Sequence, residues 1–128
     1  MYIRFVVGRE DGDSGKRLGV FQALADLRDQ DELMEHELVL MKELHQWFNQ
    51  FLERPTAFSR SSRSHAKNKA ISWFKHSADQ HIGKMRELVA ILQEHGIHVE
   101  TLQTDRPGYI VYEDEFQITA EAFKDTGA

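Results

Sequence analysis

The chain reads as an α+β domain, with three helices packed on one face of a four-stranded, mainly antiparallel sheet in the order β-α-α-α-β-β-β. Three observations predict it. Tyr2 to Val7 is a short aromatic and β-branched run, the middle of the chain carries long apolar rows of helical period, and the last third changes to alternation.

The 128 residues are 41% hydrophobic, contain two prolines and lack cysteine. A chain of this size buries roughly two-thirds of the surface its unfolded form exposes, so one hydrophobic core and a single domain over residues 1–128 are expected. The absence of cysteine excludes disulfides, a thiolate nucleophile and thiolate-ligated metal centres.

The first strand ends at Gly8, and the glycine-rich stretch from Arg9 to Gly15 reads as a loop. Leu18, Phe21, Leu24 and Leu27 then fall at helical spacing beside Val20, with Asp13 or Ser14 placed to cap a short helix that Gly19 weakens. Asp31 is placed to cap the second helix, and Pro55 lies just beyond its end. Its two rows, Leu33, Leu40, Leu44, Phe51 and Met34, Leu38, Met41, Phe48, Leu52, make a broad apolar face. A third helix is read from about Lys67 to His95 on the stripe Ile71, Phe74, Ala78, Ile82, Met85, Val89 and Leu92, closed by Gly96.

Ile97 and Val99 open a strand, and Arg106, Pro107, Gly108 and Tyr109 spell a type II turn. Tyr109 to Tyr112 and Phe116 to Thr119 flank Glu113, Asp114 and Glu115 as a hairpin. Parity favours an odd loop, which sets Tyr112 opposite Phe116 and Ile110 opposite Ile118 on one apolar face.

Net charge is −5, which argues against a general nucleic-acid surface. The charge is unevenly spread. Arg54, Arg60, Arg63, Lys67, Lys69 and Lys75 fall in a stretch, 54–76, that holds no Asp or Glu. Serines alternate with these cations ahead of the third helix, and a helix N-terminus with hydroxyls and positive charge suits an anion. A small anionic ligand on Arg60, Arg63, Ser64, His65, Lys67 and Lys69 is therefore expected.

Seven histidines are present. Glu37 and His45 occupy slots in the apolar rows of the second helix, and His81 flanks the stripe of the third. The three could satisfy one another in the core, or they could ligate a divalent metal, or haem iron with Met41 close by. Trp73 lies nearly opposite the stripe of its helix, as does Ile91, which points to an interface and a homodimer.

Other chemistry fits less well. Gly15 and Lys16 imitate the end of a phosphate loop, but Glu10 stands where its first glycine belongs and Arg17 follows the lysine. The carboxylates Glu113, Asp114 and Glu115 sit at a turn tip. An enzyme would need His65 or His81 to act with a carboxylate as general base. The six-residue apolar run at the N-terminus carries Arg4 and is too short for a secretory signal or a membrane span, so a cytoplasmic location with no membrane partner is expected.

Met1, Tyr2, Ile3, Arg4, Phe5 and Val6, the pair Trp73 and Phe74, and the run from Arg106 to Glu115 resemble a family of short bacterial proteins of unassigned function. The resemblance implies no activity and no catalytic residue. The residues themselves favour a small binding or interaction module over an enzyme.

Overall fold

Residue parity on the first strand organises the molecule. In this computed structural model, which describes residues 1–10, 17–53 and 70–121, β1 (Tyr2–Glu10) turns Ile3, Phe5 and Val7 to one side and Tyr2, Arg4 and Val6 to the other. Along one edge it pairs antiparallel with β4 (Val99–Thr104), from Tyr2 opposite Thr104 to Val7 opposite Val99. Its other edge is shared. β3 (Ala70–Lys75) pairs there with Tyr2 and Ile3, whereas β2 (Arg17–Gly19) joins at Val6 and Glu10.

From β3 the sheet continues through β6 (Gln117–Glu121) to β5 (Tyr109–Glu113). Every pairing is antiparallel. The described residues thus form one sheet of six strands, not four.

Three helices are described: α1 (Val20–Asp29), α2 (Glu35–Phe51) and α3 (Asp79–Glu94). Their apolar stripes meet the Phe5 and Val7 side of β1. Leu24, Leu88 and Leu92 are fully enclosed there, with Met41, Leu44, Phe48, Ile82 and Met85 around them. A second cluster, Ile71, Trp73, Ile118 and Ala120, packs with Tyr2, Leu102 and Ile110. Because Ile71 faces Ala120 and Trp73 faces Ile118 across the β3–β6 ladder, that cluster occupies the sheet face away from Phe74 and Ile3.

The third helix is the main correction. It begins at Asp79, and its expected first turns are the strand β3. Ile71 and Phe74 are three apart, which imitates a helical step, but the segment Ala-Ile-Ser-Trp-Phe-Lys is rich in residues that favour strands and has the alternation of one. The strand also removes the oddity of Trp73. A residue on the wrong side of a helical stripe becomes the in-facing neighbour of Ile71 when the period is two.

Smaller corrections follow. Leu18 lies in β2, and the first helix starts only after Gly19, its N-cap. Asp31 does not cap α2; it sits in the preceding turn with φ +57, and Met34 is the N-cap. Three residues separate β5 from β6, but the expected odd-loop register is not formed: Glu113 pairs with Ile118 and Tyr112 with Thr119, and past a register shift between Ile110 and Tyr112, Ile110 lies opposite Ala120. Gly96 and Gly108 do hold the positive φ values, +76 and +132, for which glycine suits the ends of α3 and of the turn before β5.

Among the described residues no helix is long and apolar enough to cross a membrane.

Gly83 is an exposed position inside α3, and a Cβ there would meet no heavy atom within 4 Å. Gly83→Ala should therefore raise stability by about 0.5–1 kcal/mol, seen as a later urea midpoint with an unchanged slope.

Candidate functional site

The shared edge of β1 creates the site. β3 pairs with β1 only as far as Ile3, opposite Phe74, and β2 takes over at Val6, opposite Gly19. A cavity of about 370 Å³ lies at this fork, within the size range of small-molecule sites.

Three walls enclose it. Arg4 and Phe5 come from β1 and Ser72, Trp73 and Phe74 from β3. His45, Phe48 and Asn49 come from α2, with Leu52 and Glu53 just beyond it. Gly19, Val20 and Phe21, at the junction of β2 and α1, complete the rim together with Met85 and Gln117.

The apolar part is rigidly packed. Phe21 meets Phe48 edge-on at 5.4 Å, and Phe48 lies 6.3 Å from Phe74, both centroid to centroid. Several polar groups punctuate it. Arg4 reaches across the fork, its Nη1 donating to the Ser72 carbonyl at 3.5 Å. The Ser72 and Thr119 hydroxyls bond at 3.0 Å, and Gln117 Nε2 donates to the Glu53 carbonyl at 2.6 Å. Trp73 is 2% exposed, and its Nε1 has no acceptor among the described residues.

This is the largest gap between sequence and structure. Trp73 and Ile91, read as surface residues of an interface, are both buried within the single chain. Trp73 lines the cavity instead. Arg60, Arg63, Ser64, His65, Lys67 and Lys69, the expected anion site, lie outside the described residues.

The three core polar residues of the sequence reading do not converge. Glu37 is buried and pairs with His95, whose Nε2 lies 2.9 and 3.1 Å from its two oxygens. His81 is buried elsewhere, bonding through Nε2 to the Phe51 carbonyl at 2.8 Å and stacked on Phe116 at 4.2 Å. His45 is exposed at the cavity rim, 5.6 Å from the Phe21 ring. Among the described residues no group of three or more His, Cys, Asp or Glu is arranged to hold a metal ion.

The turn-tip carboxylates serve local structure. Asp114 accepts from the Phe116 and Gln117 amides, the Tyr112 hydroxyl and the Gln117 side chain. Burial pushes its pKa upward, but these four bonds together outweigh that and hold it below the ordinary value. Tyr112 moves the other way: burial and then the neighbouring Asp114 push its hydroxyl up to about 12.

Gly19, Val20, Phe21 and Ser72 were missed as site residues. Only the in-facing alternation of Trp73 with Ile71 could have pointed to part of the group. No family model, curated protein or solved structure matches the chain.

Proposed function

We propose that the protein is a small binding module that holds a mainly apolar small molecule in the cavity at the fork of β1. The observation that carries this reading is the cavity itself. Its aromatic and aliphatic wall, formed by Phe5, Phe21, Phe48, Phe74, Leu52 and Met85, is punctuated by a few polar side chains, which is the usual make-up of a ligand site. The helices and both sides of the fork contribute to it, so it is built by the fold rather than by one loop.

The neutral dye N-phenyl-1-naphthylamine tests the reading, because its fluorescence rises in an apolar enclosure. Saturable binding with one dye per chain is expected. Gly19 lines the cavity, has an ordinary extended backbone (φ −82, ψ 165), and leaves room for a Cβ. Gly19→Leu should therefore fold normally while weakening the dye by about tenfold or more, a loss of about 1.4 kcal/mol. Equal binding by the variant, or a non-saturating signal, would overturn the proposal.

A further inference from the structure

We infer that the cavity takes a primary ammonium carried on an aromatic body, with the ammonium held by Gln117 Oε1 and the Glu53 carboxylate. The inference rests on the cavity reading above and adds the chemistry of the ligand.

The first observation is Gln117. Its ladder partner on β3 is Phe74, so its side chain shares the helix side of the sheet with the aromatic wall. It is 3% exposed and lines the cavity. Nε2 spends both its protons, on the Glu53 carbonyl at 2.6 Å and on Asp114 Oδ2 at 3.1 Å, which fixes the amide between β6 and the residues that follow α2. Oε1 accepts no hydrogen bond among the described residues. A buried acceptor left without a donor is costly, and an amide that donates to a carboxylate is polarised so that its oxygen accepts more strongly. A donor on the ligand would satisfy it.

The second is the charge around that amide. Among the described residues the titratable side chains of the lining are Arg4, His45 and Glu53. Arg4 is already engaged, with Nη1 donating to the Ser72 carbonyl, and His45 stands at the rim against the Phe21 ring. The Glu53 carboxylate makes no hydrogen bond or ion pair among the described residues. Asp114, kept ionised by its four donors, lies one hydrogen bond beyond Gln117. Burial first, then Asp114 and finally the Glu53 charge raise the Tyr112 hydroxyl to about 12, which registers the same negative field. An anion brought to this end would meet two negative charges, whereas an ammonium meets a carboxylate and a polarised carbonyl oxygen.

The rest of the wall selects the body. The Phe48 ring stands at 88° to Phe21 and 38° to Phe74. A flat ring gains edge and face contacts there that an alkyl chain cannot make, and the same faces attract a cation.

2-Phenylethylamine, the neutral 2-phenylethanol and the anionic 3-phenylpropionate share the ring and differ at the polar end. Calorimetric titration into the full chain at low salt should show the amine binding about tenfold more tightly than the alcohol, the scale of one added charge-assisted interaction, and the carboxylate binding most weakly. The Gln117 side-chain amide, followed by NMR, should shift with the amine. n-Hexylamine, an ammonium on a flexible chain, should bind more weakly than the ring amine.

Glu53→Gln separates recognition from folding. The side chain is exposed and unbonded among the described residues, so the variant should melt at the wild-type temperature while binding the amine and the alcohol alike.

The ammonium inference falls, and the cavity reading stands, if the dye binds but the amine has no advantage over the alcohol, keeps that advantage in Glu53→Gln, leaves the Gln117 amide unmoved or is matched by n-hexylamine. If the dye and all four probes fail to bind, the cavity reading itself falls.

Discussion

Glu37→Ala should lower stability by about 3 kcal/mol, enough to bring the melting temperature down by roughly 10 °C for a domain of this size. Glu37 is only 3% exposed, and its carboxylate performs two tasks. Oε1 accepts the Met34 N–H at 2.8 Å at the start of α2, and both oxygens meet His95 Nε2 at the end of α3. One side chain therefore ties the first turn of one helix to the last of another. Removing it uncaps α2, at about 1 kcal/mol, and leaves the His95 ring facing a cavity where it had a partner, at about 1–3 kcal/mol. Calorimetric melting of Glu37→Ala, His95→Ala and the double variant measures the pair, and a coupling energy of about 1–2 kcal/mol is expected. Additive losses would show that the two residues act separately.

Glu37 also shows how far the sequence was legible. A carboxylate in an apolar row had to be buried with a partner, and it is, but the sequence pointed to His45 or His81. The partner, His95, lies 58 residues away beside the glycine that ends α3, and only the packing angle of the two helices brings it in reach. The α+β class, α2, the core half of α3 and the strands β1, β5 and β6 were readable because each has a period of its own. β3 was not, since Ile71 and Phe74 share a helical step with Ala78 and neither Gly nor Pro separates the strand from the helix. The cavity was invisible for a deeper reason. It exists where the Ile3–Phe74 pairing stops and the Val6–Gly19 pairing begins, and two long-range pairings cannot be read from either segment alone. Gly19 illustrates this well: the sequence marks it as a weak place in a helix, and in the fold it is the end of a strand, the start of α1 and part of the cavity wall.

Asp114→Ala should cost about 2–3 kcal/mol, and Asp114→Asn about half as much, because four donors converge on one carboxylate. Oδ1 accepts the Phe116 and Gln117 amides at 2.8 and 3.0 Å, while Oδ2 accepts the Tyr112 hydroxyl at 2.9 Å and Gln117 Nε2 at 3.1 Å. The three-residue connection between β5 and β6 is thereby wrapped around a side chain rather than held by its own backbone alone. Asparagine retains one acceptor oxygen and so keeps part of the wrapping; alanine keeps none. The pH dependence follows from the same bonds. Burial opposes ionisation of Asp114, yet its four donors hold the pKa below 3.8. The Met34 amide, offset in part by burial and helped by His95, holds Glu37 below 4.5. Below those ordinary values the unfolded chain takes up protons before the native one does. The stabilisation is therefore complete above about pH 5 and is lost as pH falls through the two native values. Urea unfolding between pH 3 and 6 should show wild type losing stability steeply towards the acid end and Asp114→Asn losing less. The variant should also let the Tyr112 hydroxyl fall from about 12 towards 10, followed by its absorbance near 295 nm, because the adjacent negative charge is gone while the burial remains. Parallel acid profiles for the two proteins would mean that Asp114 carries no net proton linkage, and the turn would then owe its shape to the backbone.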